Sequence, residues 1–150
     1  MKFISRLACI FLTLLAFSDT AKADELVVVV NAASRVARLS HEEVVNIFLG
    51  RHRYYSSGLQ AEPIDLPDDY PDKALFYRKL INKDIRDVNT YWARLLFSGF
   101  VYPPLQTNNA SEANRVLLSS KGAISYMLRS AVDPRLVVVF SFSDKEVLIK

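Results

Sequence analysis

Apolar residues fall into continuous runs that predict strands and into helical repeats that predict helices. The first run, "ELVVVVNAAS" (25–34), is mostly β-branched and ends in small polar residues, a pattern typical of a strand buried on both faces. Further apolar runs predict strands over residues 61–66, 122–127 and 135–142, and "EVLIK" (146–150) is a candidate edge strand.

Residues 40–51, "SHEEVVNIFLGR", carry signals for both ends of a helix. Ser40 and Glu43 have the spacing of a capping box, in which each side chain accepts a hydrogen bond from the other residue's backbone N–H. Gly50 follows the last apolar residues and suits a helix end. We therefore expect a short, well-defined helix here.

Three more helices follow in the middle of the chain. Asp72 is expected to cap the second helix and Asp84 the third, and Ser111 is expected to begin the fourth. The segment "VYPPLQTN" (101–108) is predicted to be an extended loop, because two successive prolines exclude a helix and a central strand. Strands separated by helices predict one α/β domain, whose strand order stays open.

The N-terminus has the pattern of an export signal. Lys2 and Arg6 precede an apolar run (7–17) that is short for a membrane span. We expect residues 1–23 to be a cleaved signal peptide and residues 24–150 to be one mature domain without a membrane span. An uncleaved membrane anchor is the alternative.

Removal of residues 1–23 changes the charge and the cysteine content. Those residues contain three cations and one carboxylate, so the formal net charge falls from +3 to +1. A chain this close to neutral lacks the strong positive field of a nucleic-acid-binding protein. The only cysteine, Cys9, is also removed, which excludes a disulfide and a thiolate metal site in the mature chain.

The sequence carries no motif of a known type of catalytic site. His41 falls in the first turn of a helix, where we expect it to be solvated, and His52 stands between Arg51 and Arg53, whose charges disfavour its protonation and metal binding. HExxH, a glycine-rich phosphate loop and GxSxG are all absent. We expect no enzymatic activity, no cofactor and no metal.

The acidic segment "DLPDDYPD" contains Asp65, Asp68, Asp69 and Asp72. It is either a cation site or a solvated turn followed by a helix cap. It lacks the alternating ligand spacing and central glycine of a calcium loop, which favours the solvated turn. Trp92 repeats at helical spacing with apolar residues and is predicted to lie in the core.

Four segments in order carry a family resemblance: "SHEEVVNIFLGR" followed by "RYYSSG", then "EPIDLPDD", "YWARLLFSGFVYPP" and "GAISYM". This succession, over residues 26–127, resembles the phosphate-type substrate-binding proteins of bacterial ABC transporters, and it is especially similar to their short, exported, single-domain relatives. The resemblance implies a single lobe of a type 2 periplasmic-binding-protein-like domain, an α/β fold with a mixed sheet flanked by helices. It also implies a non-enzymatic protein in the periplasm of a Gram-negative bacterium.

Two departures from the family limit what the resemblance implies about phosphate. The full transport proteins have two lobes, and this chain is long enough for one. They bind phosphate through an arginine followed closely by Ser-Gly-Thr, and the matching segment here reads "PDDYPDKAL" (67–75). Ionised carboxylates repel phosphate and donate no hydrogen bond to it. Phosphate binding is therefore expected to be weak or absent unless a second chain completes a cleft.

The loop after the first strand is the remaining candidate for binding phosphate or another small anion. In the family this loop contributes backbone amides and a hydroxyl, which implies contacts from Asn31, Ala33 and Ser34. Arg35 and Arg38 follow and are able to attract an anion. The alternative is an ordinary turn with solvated arginines.

The segment "RHRYYSSG" is a candidate interaction surface made of Arg51, Arg53, Tyr54 and Tyr55. The other interpretation is structural, with Tyr55 as an aromatic lid packed on the lobe. A surface of this kind suits a second function, a protein-interaction or sensory accessory module of an envelope complex that has lost its ligand. Its partner would be an envelope protein or a second copy in a homodimer.

Overall fold

The computed structural model describes residues 24–99 and 101–142. The predicted signal peptide (1–23) and the candidate edge strand (146–150) lie outside these residues. No helix within the described ranges is both long and apolar enough to cross a membrane.

Nine helices and strands make up the described part of the chain, together with two short 3₁₀ turns at Ala32–Ser34 and Arg129–Ala131. In chain order they are β1 (Leu26–Asn31), α1 (His41–Phe48), β2 (Glu62–Asp65), α2 (Pro71–Ile81), α3 (Ile85–Leu96), β3 (Leu105–Gln106), α4 (Ala110–Ser119), β4 (Ala123–Leu128) and β5 (Leu136–Ser141).

The strands form one mixed sheet in the order β3-β2-β4-β1-β5. Strand β1 is antiparallel to both of its neighbours, β4 and β5, whereas β2 is parallel to β3 and β4. The valines of β1 are fully buried because this strand lies inside the sheet and is covered on both faces. Because β1 and β2 run in opposite directions, the C-terminal end of β1 and the C-terminal end of β2 lie at opposite ends of the sheet.

An aromatic cluster joins helices α1 and α2 to the sheet. Phe76 of α2 stacks on Tyr126 of β4, with ring centroids 3.8 Å apart and planes 6° from parallel. Phe48 of α1 meets Phe76 edge-on at 4.8 Å, and Phe142 meets it edge-on at 5.9 Å. The cluster positions the first turn of α2 beside the end of β2, where the site described below is found.

Two of the predicted helix caps are confirmed. Ser40 Oγ accepts a hydrogen bond from Glu43 N at 3.2 Å, and Glu43 Oε2 accepts one from Ser40 N at 2.7 Å. Asp84 caps α3 by accepting from Asp87 N at 3.0 Å. These local patterns were sufficient because each cap involves residues only three positions apart.

Two other predicted helix starts are wrong. Helix α2 begins after Tyr70, which makes no side-chain cap, and Pro71 takes the first helical position instead of Asp72 acting as a cap. A proline is tolerated there because its missing N–H has no partner within the helix. Helix α4 begins one residue before Ser111 and is capped by the Asn109 side chain.

His41 was expected to be solvated, and this prediction is also wrong. Its Nε2 lies 2.8 Å from the carbonyl oxygen of Leu80 at the end of α2, and its ring contacts Phe140 with a centroid distance of 6.0 Å. The ring therefore links α1 to α2 and β5.

Candidate functional site

The end of β2 and the first turn of α2 bring together a buried pair of charges. The residues Asp65 and Lys73 are each 5% exposed, and Lys73 Nζ lies 3.2 Å from Asp65 Oδ2. Lys73 Nζ also lies 2.7 Å from Oδ1 of Asp68, a half-exposed carboxylate. A buried charge is costly unless it is paired and hydrogen-bonded. The ammonium group of Lys73 meets this requirement through its contacts with two carboxylates.

The Asp65 carboxylate receives further hydrogen bonds from three sides. Oδ2 accepts from the Tyr77 hydroxyl at 3.0 Å. Oδ1 accepts from the Leu66 backbone N–H at 3.0 Å and from the Tyr126 hydroxyl. With Lys73, four donors serve a group that has about four acceptor positions. The carboxylate is therefore satisfied within the fold.

Both tyrosines act as donors because they stay protonated. Burial raises the pKa of Tyr77 well above its usual value, and the charge of Asp65 raises it further. The pKa of Tyr126 is raised by the same two causes in the same order. By contrast, the hydrogen bond from Lys73, followed by that from Asn89, lowers the pKa of Asp68, which is therefore ionised at neutral pH.

A cavity of about 330 Å³ opens beside this charge cluster. Its polar wall carries two carboxylates and one ammonium group, and its other wall is apolar, formed by α3 and the segment that leads into β3. The lining residues are Asp65, Asp68, Lys73, Val88, Asn89, Trp92, Ala93, Leu96, Pro103, Pro104 and Gln106. The formal charge of the lining is thus negative, which disfavours an anion.

The prediction of a solvated acidic turn is wrong for Asp65 and right for Asp68 and Asp69, which are exposed. Asp65 is buried because side chains from other elements cover it and donate hydrogen bonds to it, including the Tyr126 hydroxyl of β4. One signal was available in the sequence: Lys73 and Tyr77 are four residues apart and share a helix face.

The loop after β1 does not join this cavity. Asn31 Oδ1 accepts from Ala33 N at 2.8 Å and its Nδ2 donates to the Leu117 carbonyl at 2.7 Å. Ser34 is buried, and its Oγ accepts from Val36 N at 3.2 Å. These polar side chains therefore bond within the turn and, through Asn31, to α4, at the other end of the sheet from Asp65.

The two arginines of that loop, Arg35 and Arg38, are exposed. Arg35 has a left-handed backbone with φ 59°, and its N–H donates to the carbonyl of Ala32 to close the 3₁₀ turn. Arg35 and Arg38 are therefore the exposed charged groups of the candidate anion-binding loop.

The basic segment after α1 divides into a buried and an exposed part. Tyr55 is 4% exposed and donates its hydroxyl to the Gly122 carbonyl at 2.9 Å, and burial raises its pKa. This position agrees with the packed-lid interpretation and removes Tyr55 from the candidate interaction surface. Arg51, Arg53 and Tyr54 are exposed.

Sequence reasoning missed a group of exposed apolar side chains at the end of α3 and around β3. We call Leu96, Phe97, Tyr102 and Leu105 the apolar patch; Phe97 is 94% exposed and Tyr102 is 74% exposed. The apolar patch adjoins the cavity, because Leu96 lines it together with the two prolines that follow Tyr102. Exposed apolar groups of this size often mark interaction sites.

A second cavity, of about 910 Å³, is a groove between α1, the end of α2 and α3. Its floor is apolar, and its edges carry charges of both signs: Arg51, Lys83 and Arg94 as cations, with Glu42 and Asp87 as anions. Residues 24–99 and 101–142 hold no group of three His, Cys, Asp or Glu side chains placed to hold a metal ion together.

No protein-family model and no curated protein matches the sequence. Solved structures do match the fold. A phosphate transport receptor from Vibrio cholerae is 16% identical with a TM-score of 0.60, over 77% of this chain and 45% of that one. PstS from Borrelia burgdorferi is 10% identical with a TM-score of 0.59, over 77% and 46%. A Clostridium perfringens structure with bound phosphate is 12% identical with a TM-score of 0.62, over 77% and 44%.

These matches establish the class of fold. The chain has the mixed α/β fold of a single periplasmic-binding-protein lobe, similar to that in phosphate ABC transporter substrate-binding proteins, so the resemblance found in the sequence is confirmed at the level of the fold. The chain spans less than half the length of the structures it matches.

Proposed function

We propose that the mature chain is a non-enzymatic, periplasmic binding-protein-like domain that binds phosphate weakly or not at all. The signal-peptide pattern supports the periplasm, and the fold supports the binding-protein class. The observation that carries the loss of phosphate binding is the position of Lys73. This buried cation already contacts Asp65 and Asp68 in the segment where the resemblance places the phosphate motif.

Electrostatics opposes phosphate in this cavity. A like charge 4 Å away costs about 4 kcal/mol at the effective dielectric constant found near a protein surface. A phosphate that reached Lys73 would lie close to the Asp68 carboxylate, which the Lys73 hydrogen bond keeps ionised. It would also compete with two carboxylates for one ammonium group.

Isothermal titration calorimetry of the mature chain with inorganic phosphate tests the proposal. We expect no binding at micromolar phosphate. Micromolar affinity in a monomeric sample would refute it. An Arg35→Ala/Arg38→Ala variant then locates any binding that is observed, because it removes the exposed cations after β1 and leaves the cavity unchanged.

A second candidate function, an interaction module of an envelope complex, is favoured by the apolar patch. Large exposed apolar side chains beside the buried Lys73–Asp65 ion pair suit protein contact better than binding of a small anion. The test is a pull-down from envelope extracts with the mature chain as bait and a Phe97→Asp variant as the control. A specific partner lost in the variant supports this function; identical captures by both baits contradict it.

A further inference from the structure

The groove of about 910 Å³ follows α1 and α3 along their lengths. Each helix presents one face to it, because the lining residues of each recur at helical spacing. These residues include Glu42, Val45, Asn46 and Leu49 from α1 and its C-terminal cap, and Asp87, Val88, Tyr91, Arg94 and Leu95 from α3.

Two contacts show how the helices lie along the groove. His41 Nε2, at the start of α1, lies 2.8 Å from the carbonyl oxygen of Leu80, four residues before the cap of α3. The Tyr91 hydroxyl, in the middle of α3, donates to the carbonyl of Leu49 at the end of α1 at 2.7 Å. The start of α1 therefore lies near the start of α3, and both helices run in the same direction.

The two ends of the groove differ in charge. Near the hydrogen bond from Tyr91 to Leu49, the charged lining residues are two exposed arginines, Arg51 and Arg94. Near the other end, the charged lining residues have both signs: Glu42, Lys83 and Asp87. Within residues 24–99 and 101–142, neither arginine forms an ion pair. One end of the groove is thus purely cationic.

The wall of the groove is apolar along its length. Val45, Ile81 and Leu95 line it and are only partly buried, although they pack against the core. The stretch of α3 from Asp87 to Leu95 is about 12 Å long, which is about two turns of a helix. The cavity volume falls within the roughly 300–1,000 Å³ of small-molecule sites. These dimensions suit a small molecule better than a helix of a partner protein.

The ligand that matches this groove has an acidic group at one end of an apolar body. We propose that the groove binds an alkyl carboxylate, whose carboxylate meets Arg51 and Arg94 and whose chain lies between α1 and α3. Arginine binds carboxylates through charge-assisted hydrogen bonds, and burial of the chain removes apolar surface from water. This inference goes beyond the proposed function, because the groove is separate from the acidic cavity.

Isothermal titration calorimetry of the mature chain with dodecanoate, kept below the concentration at which it forms micelles, tests the inference. We expect saturable binding at one site that weakens as salt is raised, because salt screens the arginine charges. Dodecyltrimethylammonium has the same chain and a positive head group. It should bind at least about tenfold more weakly, since the arginines repel it.

Substitutions in the groove locate the site. Arg51→Glu and Arg94→Glu should each weaken dodecanoate binding at least about tenfold and reduce the preference over dodecyltrimethylammonium. Val45→Asp should also weaken it at least about tenfold, because it places a carboxylate beside the alkyl chain. The matched controls are Arg115→Glu and Leu75→Asp, at exposed positions outside the lining of the groove. Both should bind as the unmodified chain does, and circular dichroism checks that every variant is folded.

Several results would overturn the inference. The unmodified chain showing no saturable dodecanoate binding, or binding both head groups equally, is sufficient. So is binding that both arginine variants leave unchanged. Binding lost in Phe97→Asp and kept in Val45→Asp would place the ligand at the apolar patch instead. A dimer in analytical ultracentrifugation that Val45→Asp dissociates would make a second copy of the chain the occupant.

The groove inference and the phosphate proposal fail in different ways. A chain that ignores dodecanoate leaves the phosphate proposal untouched, because that proposal concerns Lys73 and its carboxylate partners. Conversely, micromolar phosphate binding would contradict the proposed function. It would leave the groove inference standing as long as dodecanoate binding depends on Val45 and the two arginines.

Discussion

The buried ion pair allows one strong prediction about stability. Lys73→Met keeps the length and the apolar part of the side chain but removes the ammonium group that lies 3.2 Å from Asp65 Oδ2. Removing one partner of a buried pair is strongly destabilising, because the other charge stays buried without a counter-ion.

The structure sets the size of the effect. Loss of one partner of a buried pair costs about 3–5 kcal/mol. Asp65 keeps its hydrogen bonds from Tyr77, Tyr126 and the Leu66 N–H, which places the expected loss near the lower end, at about 3 kcal/mol. The contact with half-exposed Asp68 adds little, because exposed pairs contribute about 0–1 kcal/mol.

Urea unfolding followed by tryptophan fluorescence measures this loss directly. Trp92 is the only tryptophan in the chain and is buried in α3, beside the cavity. Lys79→Met, at an exposed position of α2, is the control and should change the free energy of unfolding by less than about 0.5 kcal/mol. The double variant Asp65→Asn/Lys73→Met should recover part of the loss, because it leaves no unpaired charge.

A loss below about 1 kcal/mol for Lys73→Met would refute the reasoning. It would show that the ammonium group is solvated and free of Asp65, and therefore available to an anion. The proposed loss of phosphate binding would then be unsupported as well, because it depends on Lys73 being paired with Asp65.

Three further predictions follow from other contacts. Tyr126→Phe removes a donor to the buried carboxylate and should cost about 1–3 kcal/mol in urea unfolding. Gly50→Ala should destabilise more than Gly58→Ala, by at least about 1 kcal/mol in the same assay: both glycines have positive φ, but only at Gly50 would the added Cβ clash. The Lys73 hydrogen bond holds the pKa of Asp68 below 3.8 in the folded state. The stabilising contribution of this hydrogen bond is therefore complete above pH 3.8 and is lost as the pH falls through the folded-state pKa. In urea unfolding across this acid range, an Asp68→Asn variant should lose less stability than the unmodified chain.

The sequence alone determined the features that depend on neighbouring residues. The capping box at Ser40 and the cap at Asp84 join residues three apart, and the β-branched run of β1 is typical of any strand covered on both faces. The ordered family segments predicted the class of fold. Each of these signals comes either from neighbouring residues or from the order of several segments along the chain.

Only the tertiary structure decided how distant elements meet. Asp65 is buried because Tyr126, which is 61 positions away, donates to it, and a pattern along the chain does not specify that contact. The loop at Asn31 lies at the other end of the sheet from the acidic cavity because β1 is antiparallel to β4 and β2 is parallel to it, and the parallel pairing of β3 with β2 places Gln106 beside Asp65. The reason is physical: periodicity shows which face of an element is buried, whereas the partner of that face is set by packing between elements far apart in the chain.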